Sequence, residues 1–482
     1  MTADVWVGLD LGTSGLKAVA VGPDGRVLAR ATSRYPTVRA EPGAAEQDVA
    51  GWIEALHTVV ERLRDDVDAS RVAGIGLSAM LPTLVTVADD GEPRGNAITW
   101  EDARAERQGD ALRDRVGADE LYRRTGQWVD GRYLVPMWQR LQEVEPARAS
   151  ATTQIWGAKD FVVRHLTGRT VTDPSTAAGY GCFDIDAGAW ADDLGTPSGV
   201  RLPDVVPSST SLPLVRVAAE QLGLPDGLPV TVGAADSVLG ALGMGVHEPG
   251  DVAYVAGTST VVLGIADQHV VDAEHRFLVT PTSHDGRWGL EMDLLATGSA
   301  FRWLAALVGA HDEAEVLALA ASAEPLHAPL VLPYVAPGEQ GALWDAGLLG
   351  SVIGLHAGHA PRDLALGLVQ GIVAESRRCL LVLESLGFDR RALKVAGGSA
   401  ADPWFRQQLA DATGREVIAP VDGESDYSAL GAATVAAATA GVALPSMTGP
   451  TTRTVPDESR GAWWEQHARR LDDARGRVGH GV

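Results

Sequence analysis

The chain of 482 residues is 45% apolar and 21% charged, the balance of a globular protein with a full core, and its length predicts two large domains or roughly three ordinary ones. A formal net charge of −23 argues against a nucleic-acid partner, because phosphate backbones are held by Lys and Arg. It leaves room for ATP, whose phosphates can be held by backbone N–H groups and a metal.

Residues 5–9 and 16–22 run apolar or alternate like strands around a Gly-rich turn, and Pro23-Asp24-Gly25 turns the chain into a third strand at 27–35. Trp52, Ile53, Leu56, Val59, Val60 and Leu63 then recur at helical spacing. Residues 72–80 read as a buried strand, and 84–93 as a strand ending in a turn. Strands followed by α/β alternation predict a mixed sheet covered by helices. The second half starts the same way. Residues 228–245 run from strand to Gly-rich helix, and 250–267 give strand, small-residue turn, strand. The turn Gly257-Thr258-Ser259-Thr260 matches Gly12-Thr13-Ser14-Gly15, which predicts a duplicated fold with one hairpin per domain and a break near 245. Residues 446–482 are polar and turn-rich and predict a tail. Cys182 and Cys379 lie far apart and read as buried thiols. No apolar run approaches the ~20 residues that span a bilayer, and no basic-then-apolar leader opens the chain. A soluble cytoplasmic protein without a membrane partner is expected.

Glycine removes the Cβ that would block a ligand, and Thr and Ser add hydroxyl donors, so a hairpin of this composition can cradle a phosphate. One copy alone could equally be a β-turn that needs Gly. Two matched copies favour the phosphate. Asp10, at a strand end, is placed to hold Mg²⁺ through water. Lys17 follows in the next strand, as a phosphate partner or a surface side chain. Asp236 opens a helix, where a carboxylate also caps free N–H groups.

Residues 8–21, GLDLGTSGLKAVAV, resemble the first phosphate hairpin of the sugar-kinase, Hsp70 and actin superfamily. The segments 43–56, 96–108, 125–143, 157–168 (GAKDFVVRHLTG), 183–194, 395–417 (VAGGSAADPWFRQQLADATGREV) and 425–437 are similar, in order, to segments of the FGGY carbohydrate kinases, most of all their xylulokinase branch. The resemblance implies an α/β fold of two actin-like (ribonuclease H-like) domains, each a mixed sheet flanked by helices, with the active site in the cleft between them. Residues 1–245 would bind sugar, phosphate and Mg²⁺, residues 246–445 the nucleotide, and 446–482 would be a tail. It further implies ATP and Mg²⁺, a small sugar or polyol as partner, and a homodimer as the default assembly.

By the same resemblance Asp236 is the base and Asp10 the metal ligand, with Thr13, Ser14 and Lys17 near the transferred phosphate. Gly257, Thr258 and Ser259 cradle phosphates from the other domain, and Gly397, Gly398 and Ser399 pass under the nucleotide. Ser237 replaces the family's Asn beside the base. Lys159 and Asp160 read as a helix start with a local ion pair.

The acceptor pocket departs from the family. Leu81 and Pro82 stand where xylulokinases carry a Met and a His, and Pro82 cannot donate a hydrogen bond. Ser78-Ala79 leans toward the gluconokinases, whose His is missing as well. Trp100 and Asp102 belong to the expected substrate wall, with Asp102 accepting from sugar hydroxyls. Glu101, in place of an Asn, disfavours gluconate unless Arg104 or Arg132 pairs with the acid. Trp128 and Tyr133 stack on a sugar or fill the core. The expectation is phosphorylation of D-xylulose or a related ketopentose or pentitol. Gluconate or another polyol is the alternative within the family, and a catalytically weak sugar sensor the alternative outside it.

Overall fold

The computed structural model describes residues 4–325, 327–336, 341–345, 347–421, 426–445 and 449–478. The first large sheet has the strand order Ser211–Pro213, Pro229–Ala235, Val72–Ala79, Val5–Leu11, Gly15–Val21, Val27–Arg34. Val5–Leu11 pairs antiparallel with its hairpin partner and parallel with Val72–Ala79. The second sheet runs Leu278–Pro281, Trp288–Leu294, Thr260–Ala266, Val252–Ala256, Leu393–Gly397, Val417–Pro420, Thr451–Thr454. Its hairpin strand Val252–Ala256 is likewise antiparallel on one side and parallel on the other. The duplicated Gly-Thr-Ser turns therefore occupy equivalent places in two mixed sheets.

The helix Val49–Asp66 shows why the apolar spacing matters. Trp52, Leu56, Val59, Val60 and Leu63 are all buried on one stripe, each worth ~1.5–3 kcal/mol relative to exposure. Asp48 caps it, accepting from the Ala50 N–H at 2.9 Å.

Two short-side-chain helices, Asp236–Gly243 and Tyr427–Thr439, lie together where the halves meet. The second comes late in the chain yet rests on the first sheet. A Cβ on Gly8 would stand 1.8 Å from the Ala429 carbonyl oxygen, and one on Gly76 1.9 Å from that of Ala432. Only glycine lets the helix come so close. One core joins Trp6, Val19 and Val21 of the first sheet to Leu263 and Ile265 of the second through Leu430 and Ala433.

The described residues 449–478 pack onto the second half rather than trailing from it as a tail. Thr451–Thr454 adds an edge strand beside Val417–Pro420, and the helix Gly461–Val478 buries Trp464, His467, Leu471 and Ala474. Trp464 is part of the main core of the second half. Its inward residues are sparse among many charged ones, which is why composition suggested a tail. Cys182 and Cys379 are buried free thiols. Among the described residues no helix is long and apolar enough to cross a membrane.

Candidate active site

A cavity of about 620 Å³ is lined from both halves of the chain. Asp236 reaches it as the first residue of its helix, directly after the strand Pro229–Ala235. Its Oδ1 accepts from the Ser237 N–H at 2.9 Å, and its carbonyl oxygen accepts from Ser428 Oγ at 2.9 Å. Burial, and next the charge of Asp10, push its carboxyl pKa up to about 7. A carboxylate at that value can take and return a proton near neutral pH.

A buried network holds the strand end that carries Asp236. Lys159 Nζ pairs with Asp173 and donates to the Gly233 carbonyl at 3.0 Å. Ser175 Oγ donates to Asp173 at 2.5 Å and accepts from the Ala235 N–H at 2.8 Å. The expected ion pair within the helix start is thus corrected. Lys159 turns to Asp173, while Asp160 accepts from the Gly157 N–H at 2.8 Å as a helix cap.

In the first hairpin the Gly12 N–H donates to the Gly15 carbonyl at 3.1 Å. Thr13 is clamped on two sides, by Gln47 Nε2 on its carbonyl at 2.7 Å and by Trp100 Nε1 on its hydroxyl at 3.0 Å. Thr13, Lys17 and Trp100 line the cavity; Ser14 is exposed at the turn and is not on its wall. Asp10 stands opposite Lys17 in the strand pairing and is buried, with Oδ1 accepting from Ser78 Oγ at 2.8 Å. Burial raises its pKa, while the Ser78 hydrogen bond and the Lys17 charge oppose the rise. Among the described residues no three His, Cys, Asp or Glu side chains gather as a metal cage. A lone buried carboxylate fits Mg²⁺, which keeps several waters and takes its other oxygens from phosphates.

The second hairpin closes with the Gly257 N–H on the Ser259 carbonyl at 2.8 Å. Gly257, Thr258 and Ser259 all line the cavity, as do Gly397 and Gly398. Gly397 has φ +99, and a Cβ there would stand 2.1 Å from the Ala256 carbonyl oxygen, so glycine is required for the strand to end beside the hairpin. Ser399 is buried and is not on the cavity wall.

Leu81 and Pro82, joined by a cis peptide, do line the cavity. Asp102 does not. Its buried carboxylate accepts from the Ala45 N–H at 2.9 Å and from the Arg104 guanidinium, with Nε at 3.0 Å. Arg104 is further engaged by Glu41 and Glu46, and Glu101 is paired with Arg39 at 2.8 Å, so neither offers itself to an acceptor. Trp128 packs on His275 and Trp344, whereas Tyr133 is on the wall with its hydroxyl donating to Gln127 Oε1 at 3.0 Å.

Two carboxylates on the wall escaped the sequence analysis. Glu291 and Asp293 alternate along the strand Trp288–Leu294, facing the cavity while Leu290, Met292 and Leu294 face the core. Glu291 Oε2 accepts from Ser237 Oγ at 2.7 Å. Burial raises both carboxyl pKa values; the charge of Asp293 adds to the rise at Glu291, and Arg132 opposes it at Asp293. The period-two pattern Glu-Met-Asp-Leu was the available signal.

The N-terminal domain of the FGGY family of carbohydrate kinases matches residues 5–243, and its C-terminal domain matches residues 252–440. The chain belongs to the FGGY family. It is therefore a sugar kinase with the family's two-domain actin-like fold, and FGGY kinases use ATP. A xylulose kinase of Klebsiella pneumoniae is 27% identical over 438 residues, covering 90% of this chain and 89% of that protein. A gluconokinase of Bacillus subtilis is 24% identical over 448 residues, covering 88% and 86%. The crystal structure of a gluconate kinase from Lactobacillus acidophilus matches with a TM-score of 0.91 at 22% identity, over 98% of each chain, a likeness of fold.

Proposed function

We propose that this FGGY kinase transfers the γ-phosphoryl group of ATP to a hydroxyl of a neutral ketopentose or pentitol, D-xylulose foremost, with Asp236 as general base. The observation that carries this is the setting of Asp236. It lines one cavity together with both Gly-Thr-Ser hairpins, and its pKa is raised to about 7. The base would take the acceptor's hydroxyl proton as phosphoryl transfer proceeds, a reaction that depends mainly on positioning and charge neutralisation. Thr13 and Lys17 would face the transferred phosphate, and Gly257 to Ser259 with Gly397 and Gly398 would cradle the nucleotide phosphates through N–H groups. Asp10 would hold Mg²⁺, which neutralises phosphate charge when bound. Closure of the two halves over the cavity would keep water from competing with the sugar.

Coupled ADP release with Mg-ATP tests this against D-xylulose, L-xylulose, D-ribulose, xylitol, D-arabinitol, glycerol and gluconate. One strong neutral acceptor is the expected result. D-xylulose in that place means the family's missing His is dispensable. Absence of ADP with every acceptor sinks the proposal.

A further inference from the structure

We propose that Glu291 and Asp293 are the specificity-determining residues of the acceptor site. With Asp236 they make a corner of hydrogen-bond acceptors that takes a neutral, hydroxyl-rich chain and rejects an aldonate. The inference rests on the kinase reading above and adds to it the residues that select the sugar.

Several donors on the wall are already engaged within the protein. Tyr133 donates its hydroxyl to Gln127, and Gln127 donates its amide to the Val279 carbonyl at 3.0 Å and to Thr280 Oγ1 at 3.4 Å. Ser237 donates to Glu291, and Trp100 donates to Thr13. Arg132 holds its fork on Asp130, with Nε at 3.1 and 3.0 Å from the two oxygens. Leu81 and Pro82 present only carbon from their side chains. Each of these polar wall groups already has an acceptor inside the protein. The carboxylates are in the opposite condition. Among the described residues Asp293 Oδ1 is buried without a hydrogen-bond partner, and a carboxylate oxygen can accept from more than one donor. A buried acceptor left unmet is costly, and a sugar hydroxyl is a donor that would meet it. An aldonate would instead bring its own negative charge into a corner of three buried carboxyl groups, where desolvation already disfavours charge.

The comparison with the relatives leaves this choice open, since both a xylulose kinase and a gluconokinase match the chain at similar identity. The residues on the wall decide it. Glu291 and Asp293 come from the second sheet while Asp236 follows a strand of the first, so the acceptor would be read by both halves at once.

The test uses the full chain. Calorimetry measures binding of the neutral acceptors of the panel and of gluconate, and coupled ADP release measures their turnover. Wild type should bind at least one neutral polyol more than about tenfold tighter than gluconate, and E291Q or D293N should each weaken that polyol about tenfold. The loss should fall on KM more than on kcat, with KM for ATP retained as the sign of an intact fold. The wild-type ranking decides even where a variant fails to fold. Gluconate binding as tightly as the best polyol, no polyol binding at all, or an unchanged acceptor KM in both folded variants would overturn the inference. Polyol binding that depends on Glu291 without any ADP release would uphold it and sink phosphoryl transfer. ADP release driven by gluconate would do the reverse.

Discussion

The two Gly-Thr-Ser hairpins share a sequence and a place in their sheets, yet they are held in different ways. The first is clamped by side chains from three separate segments: Tyr35 on the Gly12 carbonyl, Gln47 on the Thr13 carbonyl and Trp100 on the Thr13 hydroxyl. Gln47 is itself fixed by Trp52 Nε1 at 2.9 Å. The second is held by the start of one helix, Gly298–Val308. The Gly298 and Ser299 N–H groups donate to the Gly257 and Thr258 carbonyls at 3.2 and 3.0 Å, and Arg302 donates to Thr258 Oγ1 at 3.2 Å. The first turn is thus locked before any ligand arrives, beside Asp10 and near Asp236. The second carries an exposed cation and is held by the backbone and short side chains of that single helix start, Ser299 Oγ also donating to the Thr258 carbonyl at 3.1 Å. The difference suits the division of labour proposed above, in which the first hairpin would face the transferred phosphate and the second would grip the nucleotide phosphates.

Substitutions can break that division. The largest effect should come at the point the hairpins serve: Asp236→Asn should lower kcat by ~10²–10⁴-fold while ATP binding, measured by calorimetry, persists. Retained turnover would remove the reaction centre from between the hairpins. Lys159→Met comes next. It leaves Asp173 unpaired in a fully buried site and should cost about 3–5 kcal/mol in denaturant unfolding. Any folded fraction should lose kcat more than ATP affinity, because the network grips the strand end that carries Asp236.

The pH dependence divides activity from stability. Asp236 must be ionised to act as a base, so kcat/KM should fall as pH drops through about 7. Its folded pKa lies above the unfolded value, so protonation in the folded state contributes stability that is fully present below the unfolded pKa. That stability is lost as pH rises through about 7. Glu291 and Asp293 are raised in the same direction. The ligand-free protein should therefore lose more stability between pH 5 and pH 8.5 than the E291Q/D293N double variant, read by thermal melts. Equal losses would show that these carboxyls are not held protonated by burial.

The smallest effects sharpen the comparison itself. Trp100→Phe removes one donor to Thr13 and should lower kcat about two- to tenfold. Arg302→Ala removes an exposed charge and should raise KM for ATP about twofold, with kcat nearly unchanged. If the two variants swapped these signatures, the roles assigned to the hairpins would be reversed.

What the residues settled on their own was local. Alternation and turn chemistry placed both hairpins, helical spacing placed the stripe from Trp52 to Leu63, and a strand running into a helix placed Asp236. Period and glycine content act over a few residues, so the chain alone carries them. The tertiary structure decided whatever depends on segments far apart. Asp102 looked like a sugar contact until the Ala45 N–H and Arg104 engaged it. Lys159 found Asp173 rather than its neighbour. Residues 446–482 read as a tail, yet within them Trp464 enters the core of the second half. Glu291 and Asp293 are ordinary strand carboxylates until folding buries them beside Asp236. Desolvation and charge proximity arise only when distant elements meet, and those two forces set the chemistry of this cavity.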